Sequence, residues 1–307
     1  MNEMIIAAVI TIITAATPLL YAALGEMITE KSGVLNLGVE GMILLGAVCG
    51  FATVHITGSA TLAVLAGLMA GMILSSIFAI LTLWFQASQV ASGLALTIFG
   101  IGLSALLGQS LVGIAYDGLP KLFIPGLTEI PLIGPLLFGH DILVYGSFVV
   151  TFAVAWFLKR TRAGLILRAV GDSHDAAHAI GFSVLRIRLM AILFGGAMSG
   201  LAGAYLSLAY SPLWIENMSA GRGWIALALV VFATWRPGRV LFGAYLFGGI
   251  TILQLHAQAL GVGIPSQIMS MLPYLATIVV LVMISRDRNK IKLNAPACIG
   301  KPFHPTS

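Results

Sequence analysis

The sequence predicts an all-α fold, a polytopic membrane bundle of about 8–10 transmembrane helices that forms one domain over residues 1–307. Of these residues 59% are hydrophobic and 9% are charged, whereas an ordinary soluble domain carries about 25% charged residues. Several apolar stretches reach about 20 residues, enough to cross a hydrocarbon core of about 30 Å. So few charges cannot cover a soluble globule, and that class is excluded.

Candidate spans follow one another along the chain, and each is predicted as a helix because a backbone in lipid must satisfy its own hydrogen bonds. They cover approximately 5–25, 34–55, 59–84, 89–115, 142–158, 187–210, 222–235, 239–260 and 268–284. The first is expected to be a retained helix, since Glu3 stands where a signal peptide needs basic residues.

Basic residues predict the orientation, because cytoplasmic loops are the ones enriched in Lys and Arg. They gather beside and within a loop of about 160–187 and in the C-terminal tail: Lys159, Arg160, Arg162, Arg168, Arg186 and Arg188, then Arg286, Arg288, Lys290, Lys292 and Lys301. That loop and the C-terminus are therefore predicted to be cytoplasmic, and the Pro-rich loop of about 116–141 to lie outside. The side of the N-terminus and the number of spans in the N-terminal half stay open, because Lys31 is the only basic residue there.

The stretch RAVGDSHDAAHAIGFSV (168–184) predicts a short helix outside the bilayer. Asp172 suits an N-cap, Asp175 the third helical position, and Gly181 the left-handed residue that ends a helix. Small side chains between them give a face suited to docking in a groove of a partner. The predicted docking residues are Asp172, Ser173, Asp175, Ala176, Ala177, Ile180 and Gly181.

DAAHAIG (175–181) resembles the EAA-three-residues-Gly pattern in the permease subunits of bacterial ABC importers, with Asp175 in the place of the usual Glu. Four more stretches resemble the branch that imports simple sugars and nucleosides. They are EKSGVLNLGVEGMILLGA (30–47), QVASGLALTIFGIGLSA (89–105), RLMAILFGGAMSGLAGAYLSL (188–208) and APACIGKPF (295–303). The similarity runs in the same order along nearly the whole chain.

This resemblance implies a multi-pass permease of the bacterial inner membrane, in which the 172–181 helix is the coupling helix that docks on a separate ABC ATPase. It further implies a second permease, either a sister subunit or a second copy, and an external solute-binding protein. The Pro-rich loop would contribute a platform for that protein or simply cap the bundle. No cofactor is expected on this chain: ATP and Mg belong to the ATPase, and the partners are proteins and membrane lipid, not nucleic acid.

Asn36 and Glu40 are unusual in an apolar span, and the i, i+4 spacing predicts that they share one helix face. They either border a translocation path or a break in a neighbouring helix, or form a hydrogen-bonded pair that only fixes packing. Gln89, Ser92 and Gly93 begin a later span and are open to the same two interpretations.

Two alternatives remain at this stage. HDAAH places His174 and His178 at the spacing of a zinc-protease motif, but a catalytic zinc needs a third protein ligand, and we expect both rings to face solvent and no metal to bind. A self-sufficient carrier or channel is the second alternative. Against it, Glu40 is the main ionisable residue inside the predicted spans, with His256 a possible second, whereas ion-coupled carriers commonly need several. The sequence has no GxxxxGK[ST] stretch, so energy from a separate ATPase is the simpler hypothesis.

Overall fold

The fold is a bundle of α-helices, which confirms the predicted class. The computed structural model describes residues 2–123, 125–126, 128, 130, 133–259, 265–285 and 294–304. Within these ranges the helices are α1 (Asn2–Lys31), α2 (Val39–Thr57), α3 (Ala60–Ala79), α4 (Gln89–Gly108), α5 (Ile133–Phe138), α6 (Ile142–Arg160), α7 (Arg162–Asp172), α8 (His174–Ala179), α9 (Val184–Tyr205), α10 (Arg222–Phe232), α11 (Pro237–Ala259), α12 (Ser266–Ser270) and α13 (Leu272–Ser285).

Helices occupy all the predicted span positions, but they differ in length. Seven helical segments in the described part of the chain are long and apolar enough to cross a membrane. They are Ile6–Lys31, Val39–Thr57, Ala60–Trp84, Gln89–Leu111, Ile142–Arg160, Val184–Tyr210 and Pro237–Ala259. The other two positions hold α10, of 11 residues, and α13, of 14. At about 1.5 Å per residue, neither helix alone crosses a 30 Å core.

The centre of the bundle is formed by α1, α2, α3 and α9, and glycines let their backbones touch. A Cβ atom at Gly71 would overlap the carbonyl oxygen of Gly196, and one at Gly200 would overlap the carbonyl oxygen of Gly67. The two Gly-x-x-x-Gly pairs of α3 and α9 therefore face each other. Small residues at such contacts are typical of membrane helix packing.

The predicted span 34–55 is wrong at its start. Helix α1 continues to Lys31 and ends at Gly33, whose φ is +88°. The N–H groups of Gly33 and Val34 donate to the carbonyls of Glu30 and Thr29, at 2.8 and 3.3 Å, which is the usual hydrogen-bond pattern of a helix that ends on glycine. The chain then runs without helix to Gly38 before α2 begins. Residues 32–38 are called the helix break below.

The helix break lies at the end of the bundle that carries α7 and α8, called the α8 end. The start of α9 lies there, and residues 294–304, called the C-terminal segment, fold back onto it through Cys298 and Gly300, whose N–H groups bond to residues 171 and 33. The N-terminus of α1 lies at the opposite end. Of the basic tail residues, Arg286, Arg288, Lys290 and Lys292 lie outside the described residues, as does Pro131 of the Pro-rich loop.

Candidate functional site

The 172–181 stretch forms a compact turn of helix at the surface of the α8 end. The N-cap of α8 is Ser173, whose Oγ accepts a hydrogen bond from the N–H of Ala176 at 3.3 Å. The prediction that Asp172 caps this helix is wrong, because Asp172 is the last residue of α7. As predicted, Gly181 ends the helix in the left-handed region, with φ +92°.

Most of the predicted docking residues are exposed. Asp172, Ser173, Asp175, Ala176, Ile180 and Gly181 lie at the surface, and Ile180 exposes 71% of its area. Ala177 differs: it is 2% exposed and packs with Val170, Val184 and Phe303. Ala177 therefore seats α8 on the bundle, and the face available to a partner is that of Asp175, Ala176 and Ile180.

The expectation that His174 and His178 face solvent is wrong for His174, which is buried, whereas His178 is half-buried. Both rings pack edge-on against Phe303, with centroids 5.4 and 5.3 Å away, because the C-terminal segment brings Phe303 under α8. Arg188 Nη2 lies 3.1 Å from Nδ1 of His174. Burial, and then the Arg188 charge, lower the pKa of His174, so the neutral ring accepts this bond. In the described part of the chain, no three His, Cys, Asp or Glu side chains are grouped to hold a metal.

Asn36 lies in the helix break and is fully buried. Its N–H donates to Glu26 Oε1 at 2.9 Å, and its own Oδ1 accepts from the N–H of Gly38 at 2.9 Å. The prediction that Asn36 and Glu40 share one helix face is therefore wrong. Gly33 ends α1, and the Asn36 side chain satisfies a backbone group of a turn instead.

Gln89, Gly93 and Thr97 of α4 contact the backbone of the helix break. Gln89 Oε1 accepts from the N–H of Leu35 at 2.8 Å, and Thr97 Oγ1 donates to the carbonyl of Leu37 at 2.8 Å. A Cβ at Gly93 would lie 2.7 Å from the nitrogen of Leu37, so only glycine allows this approach. Ser92 is buried in the same turn of α4. Side chains from α1 and α4 thus form hydrogen bonds with backbone groups of the helix break, which have no partner within a helix.

Glu40 connects the first turn of α2 to the start of α10. Its Oε1 accepts from Ser219 Oγ at 2.6 Å and from the N–H of Gly221 at 2.8 Å, and its Oε2 accepts from the N–H of Gly223 at 2.6 Å. A carboxylate suits this place, because the first N–H groups of a helix lack partners and carry a partial positive charge. The first turn of α2, which directly follows the helix break, is therefore fixed to the start of α10.

A cavity of about 350 Å³ lies beside the start of α10. Its polar lining comes from Arg222, Thr251, Gln254 and Tyr274. The Arg222 guanidinium lies 5.1 Å from the centroid of the Tyr210 ring. The cavity offers hydrogen-bonding groups to a small polar solute within an apolar wall, as ligand sites commonly do.

Comparison with known proteins identifies the family. The model of the family described as "Branched-chain amino acid transport system / permease component" matches residues 8–284. The chain belongs to this permease family. It is 40% identical to the putative glucose ABC transporter permease protein TsgC13 of Haloferax volcanii over 95% of each chain.

Two further relatives are ABC permeases. The permease is 33% identical to the guanosine ABC transporter permease protein NupQ of Bacillus subtilis, over 94% of this chain and 93% of the relative. It is 32% identical to the nucleoside ABC transporter permease protein NupC of Lactococcus lactis, over 87% and 89%. No solved structure matches the permease.

These similarities confirm the resemblance stated from the sequence: the permease is the membrane-spanning subunit of an ABC importer, and ATP hydrolysis resides in a separate subunit. Neither the zinc-hydrolase nor the self-sufficient-carrier alternative is retained. The roles of the docking residues and of Asn36, Glu40, Gln89, Ser92 and Gly93 stay predictions, now attached to defined contacts.

Two functional candidates in the permease were missed from the sequence. Glu26 and Glu30 are almost completely buried in α1, because α1 runs six residues past the predicted end at 25. Glu30 Oε2 accepts from Trp235 Nε1 at 2.5 Å, and Glu26 supports the helix break through Asn36. Their i, i+4 spacing just before Lys31 was the available signal, since it continues a helix face beyond the apolar run.

Proposed function

We propose that this permease forms the translocation path for nucleosides or related simple sugars. The observation that carries the substrate class is its similarity over nearly full length to permeases named for glucose, guanosine and nucleosides. The cavity beside α10 supports it, because Arg222, Thr251, Gln254 and Tyr274 can hydrogen-bond to a hydroxyl-rich solute. No ion gradient is required, because the ATPase supplies the energy.

We propose that α8 is the coupling helix and that its exposed face docks on an ABC ATPase, which binds ATP and Mg. The α8 end, with the loop of about 160–187 and the C-terminus, would then be cytoplasmic, and the N-terminus of α1 and the loop of about 116–141 would lie outside. An external solute-binding protein would approach that outer face, and a second permease, a sister or a second copy, would complete the path.

Asn36, Glu40, Gln89, Ser92 and Gly93 would serve the path by holding its helices. The hydrogen bonds of Asn36, Glu40 and Gln89 and the close contact at Gly93 hold the helix break and the start of α10 in one arrangement, and the start of α10 borders the cavity. Non-helical backbone at membrane depth is tolerated where protein buries it or where it borders a water-filled route.

Reconstituted transport tests the substrate class. The permease, its ATPase and its binding protein are placed in proteoliposomes, and ATP-dependent uptake of labelled guanosine, glucose and leucine is measured separately. Guanosine and glucose uptake is also measured with an excess of unlabelled leucine, because the family description names branched-chain amino acids. We expect ATP-dependent uptake of either guanosine or glucose, and we expect excess leucine not to inhibit that uptake. ATP-dependent leucine uptake, with neither guanosine nor glucose entering, would contradict the proposal.

A further inference from the structure

The C-terminal segment connects chain segments that are far apart in sequence. The N–H of Cys298 donates to the carbonyl of Gly171, at the end of α7, at 2.9 Å, and the N–H of Gly300 donates to the carbonyl of Gly33 at 3.2 Å. Lys31 Nζ donates to the carbonyl of Asn294 at 2.6 Å. The segment therefore packs between the coupling helix region and the helix break.

Arg188 lies where these segments meet, one turn into α9, and is 1% exposed. Its three guanidinium nitrogens reach three different segments. Nε donates to the carbonyl of Ser32 at 3.2 Å, Nη1 to the carbonyl of Lys301 at 3.1 Å, and Nη2 to Nδ1 of His174 at 3.1 Å. One planar guanidinium group thus joins the helix break, the C-terminal segment and α8.

Phe303 fixes α8 in its present orientation over this arginine. Its ring is contacted edge-on by His174 and His178, one turn apart on α8, and it packs with Ala177. Gln86 Nε2, after α3, lies 3.5 Å from the carbonyl of Phe303. A displacement of α8 therefore has to carry Phe303 with it or lose these contacts.

We propose that Arg188 and the C-terminal segment transmit movement of α8 to the helix break, which makes Arg188 a positioning residue for coupling. This inference rests on the proposed docking of α8. Hydrogen bonds to a buried charge are costly to break in a low-dielectric interior, so α8 and Ser32 move together. Ser32 begins the break, and Glu40 beyond it holds the start of α10. A route of direct contacts thus leads from the docking surface to the cavity.

The experiment measures ATP hydrolysis and solute uptake in the same proteoliposomes, so that uptake per ATP is obtained. Arg188→Met removes all three hydrogen bonds, and Arg188→Lys retains the charge with a single donor group. Arg186→Met, two residues earlier and exposed, is the control. For Arg188→Met we expect the ATPase to stay bound and active, and uptake per ATP to fall on the order of tenfold, as for coupling between linked sites. Arg188→Lys should recover part of the lost uptake per ATP, and uptake per ATP in Arg186→Met should match that of the wild type.

A wild-type ratio of uptake to ATP in assembled Arg188→Met would overturn the inference. If that variant does not assemble, a chain that ends at Gly300 takes its place, because it removes Lys301 and Phe303 without touching a membrane helix. The same fall in uptake per ATP supports the inference, and an unchanged ratio overturns it. Failure of the wild-type permease to bind an ATPase would instead overturn the docking, so the two failures are distinguishable.

Discussion

The carboxylate of Glu40 accepts a hydrogen bond of 2.6 Å from the N–H of Gly223, 183 residues later in the chain. This contact joins the start of α2, which follows the helix break, to the start of the short helix α10. A Cβ at Gly223 would lie 2.6 Å from the backbone of Glu40, so the two helix starts also touch directly. The carboxylate of Glu40 therefore holds together the starts of two helices, α2 and α10.

Glu40→Ala is expected to destabilise the permease by about 3 kcal/mol, because several buried donors at the start of α10 lose a charged acceptor. Glu40→Gln should cost less, since its amide oxygen still accepts. Thermal unfolding in detergent measures the stability of both variants. Glu216→Ala is the control, because Glu216 is an exposed acid in the loop before α10, and we expect it to change stability by less than about 0.5 kcal/mol. Equal midpoints for Glu40→Ala and Glu216→Ala would exclude a bracing role.

Trp235→Phe removes the indole N–H that bonds to Glu30 Oε2. We expect a loss of about 1–3 kcal/mol in unfolding free energy, because a buried carboxylate oxygen loses its donor. Trp156→Phe on α6 is the matched control, since Trp156 is more than half exposed. A Trp235→Phe midpoint no lower than that of Trp156→Phe would show that Glu30 does not need this bond.

Gly71→Val is expected to prevent the close packing of α3 on α9, because its Cβ would overlap the carbonyl of Gly196. Overpacking of this kind costs about 1–3 kcal/mol or more. A Cβ at Gly102 of α4 would meet no atom within 4 Å, so Gly102→Val provides the control. Size-exclusion profiles and unfolding midpoints measure both variants, and wild-type behaviour of Gly71→Val would contradict the packing.

Acidification is expected to loosen α8. Burial and the Arg188 charge, with smaller contributions from Lys301 and His304, lower the pKa of His174, while Asp175 opposes them. The unfolded chain therefore binds the proton first, and the stabilisation is complete above the unfolded pKa of about 6.5. It is lost as pH falls through the folded pKa.

Hydrogen–deuterium exchange of residues 174–182, corrected for the intrinsic rate, measures this effect. We expect protection to fall as the pH drops below the unfolded pKa of about 6.5 in the wild type and to change far less in His174→Gln. His55→Gln, at an exposed position of α2, should behave like the wild type. Protection of α8 that is independent of pH in the wild type would contradict the arrangement.

The spans could be predicted because hydrophobicity and length determine them, as for 142–158, which became Ile142–Arg160. The breaks could not, because they depend on partners distant in sequence. Asn36 lies outside a helix since Gly33 ends α1 and Gln89 and Glu26 hold the following backbone. No local pattern shows those partners.

The docking stretch was predictable where local chemistry decides, as at Gly181, and unpredictable where tertiary contacts decide. Ser173 rather than Asp172 caps α8 because α7 runs through Asp172. His174 and His178 turn inward because Phe303, at the far end of the chain, packs between them and the bundle. The local sequence pattern of α8 indicates neither the end of α7 nor the position of Phe303.

The docking of α8 on an ATPase is tested most directly by purifying the tagged permease in gentle detergent and identifying co-purifying proteins by mass spectrometry. Gly181→Glu places a charge beside the exposed face of α8, and Gly58→Glu is its matched control. Both glycines have positive φ and open space around the added Cβ, but Gly58 lies at the opposite end of the bundle. We expect a protein with nucleotide-binding domains to co-purify with the wild type and Gly58→Glu and to be lost with Gly181→Glu. Equal recovery with both variants, or no such protein with the wild type, would contradict the docking.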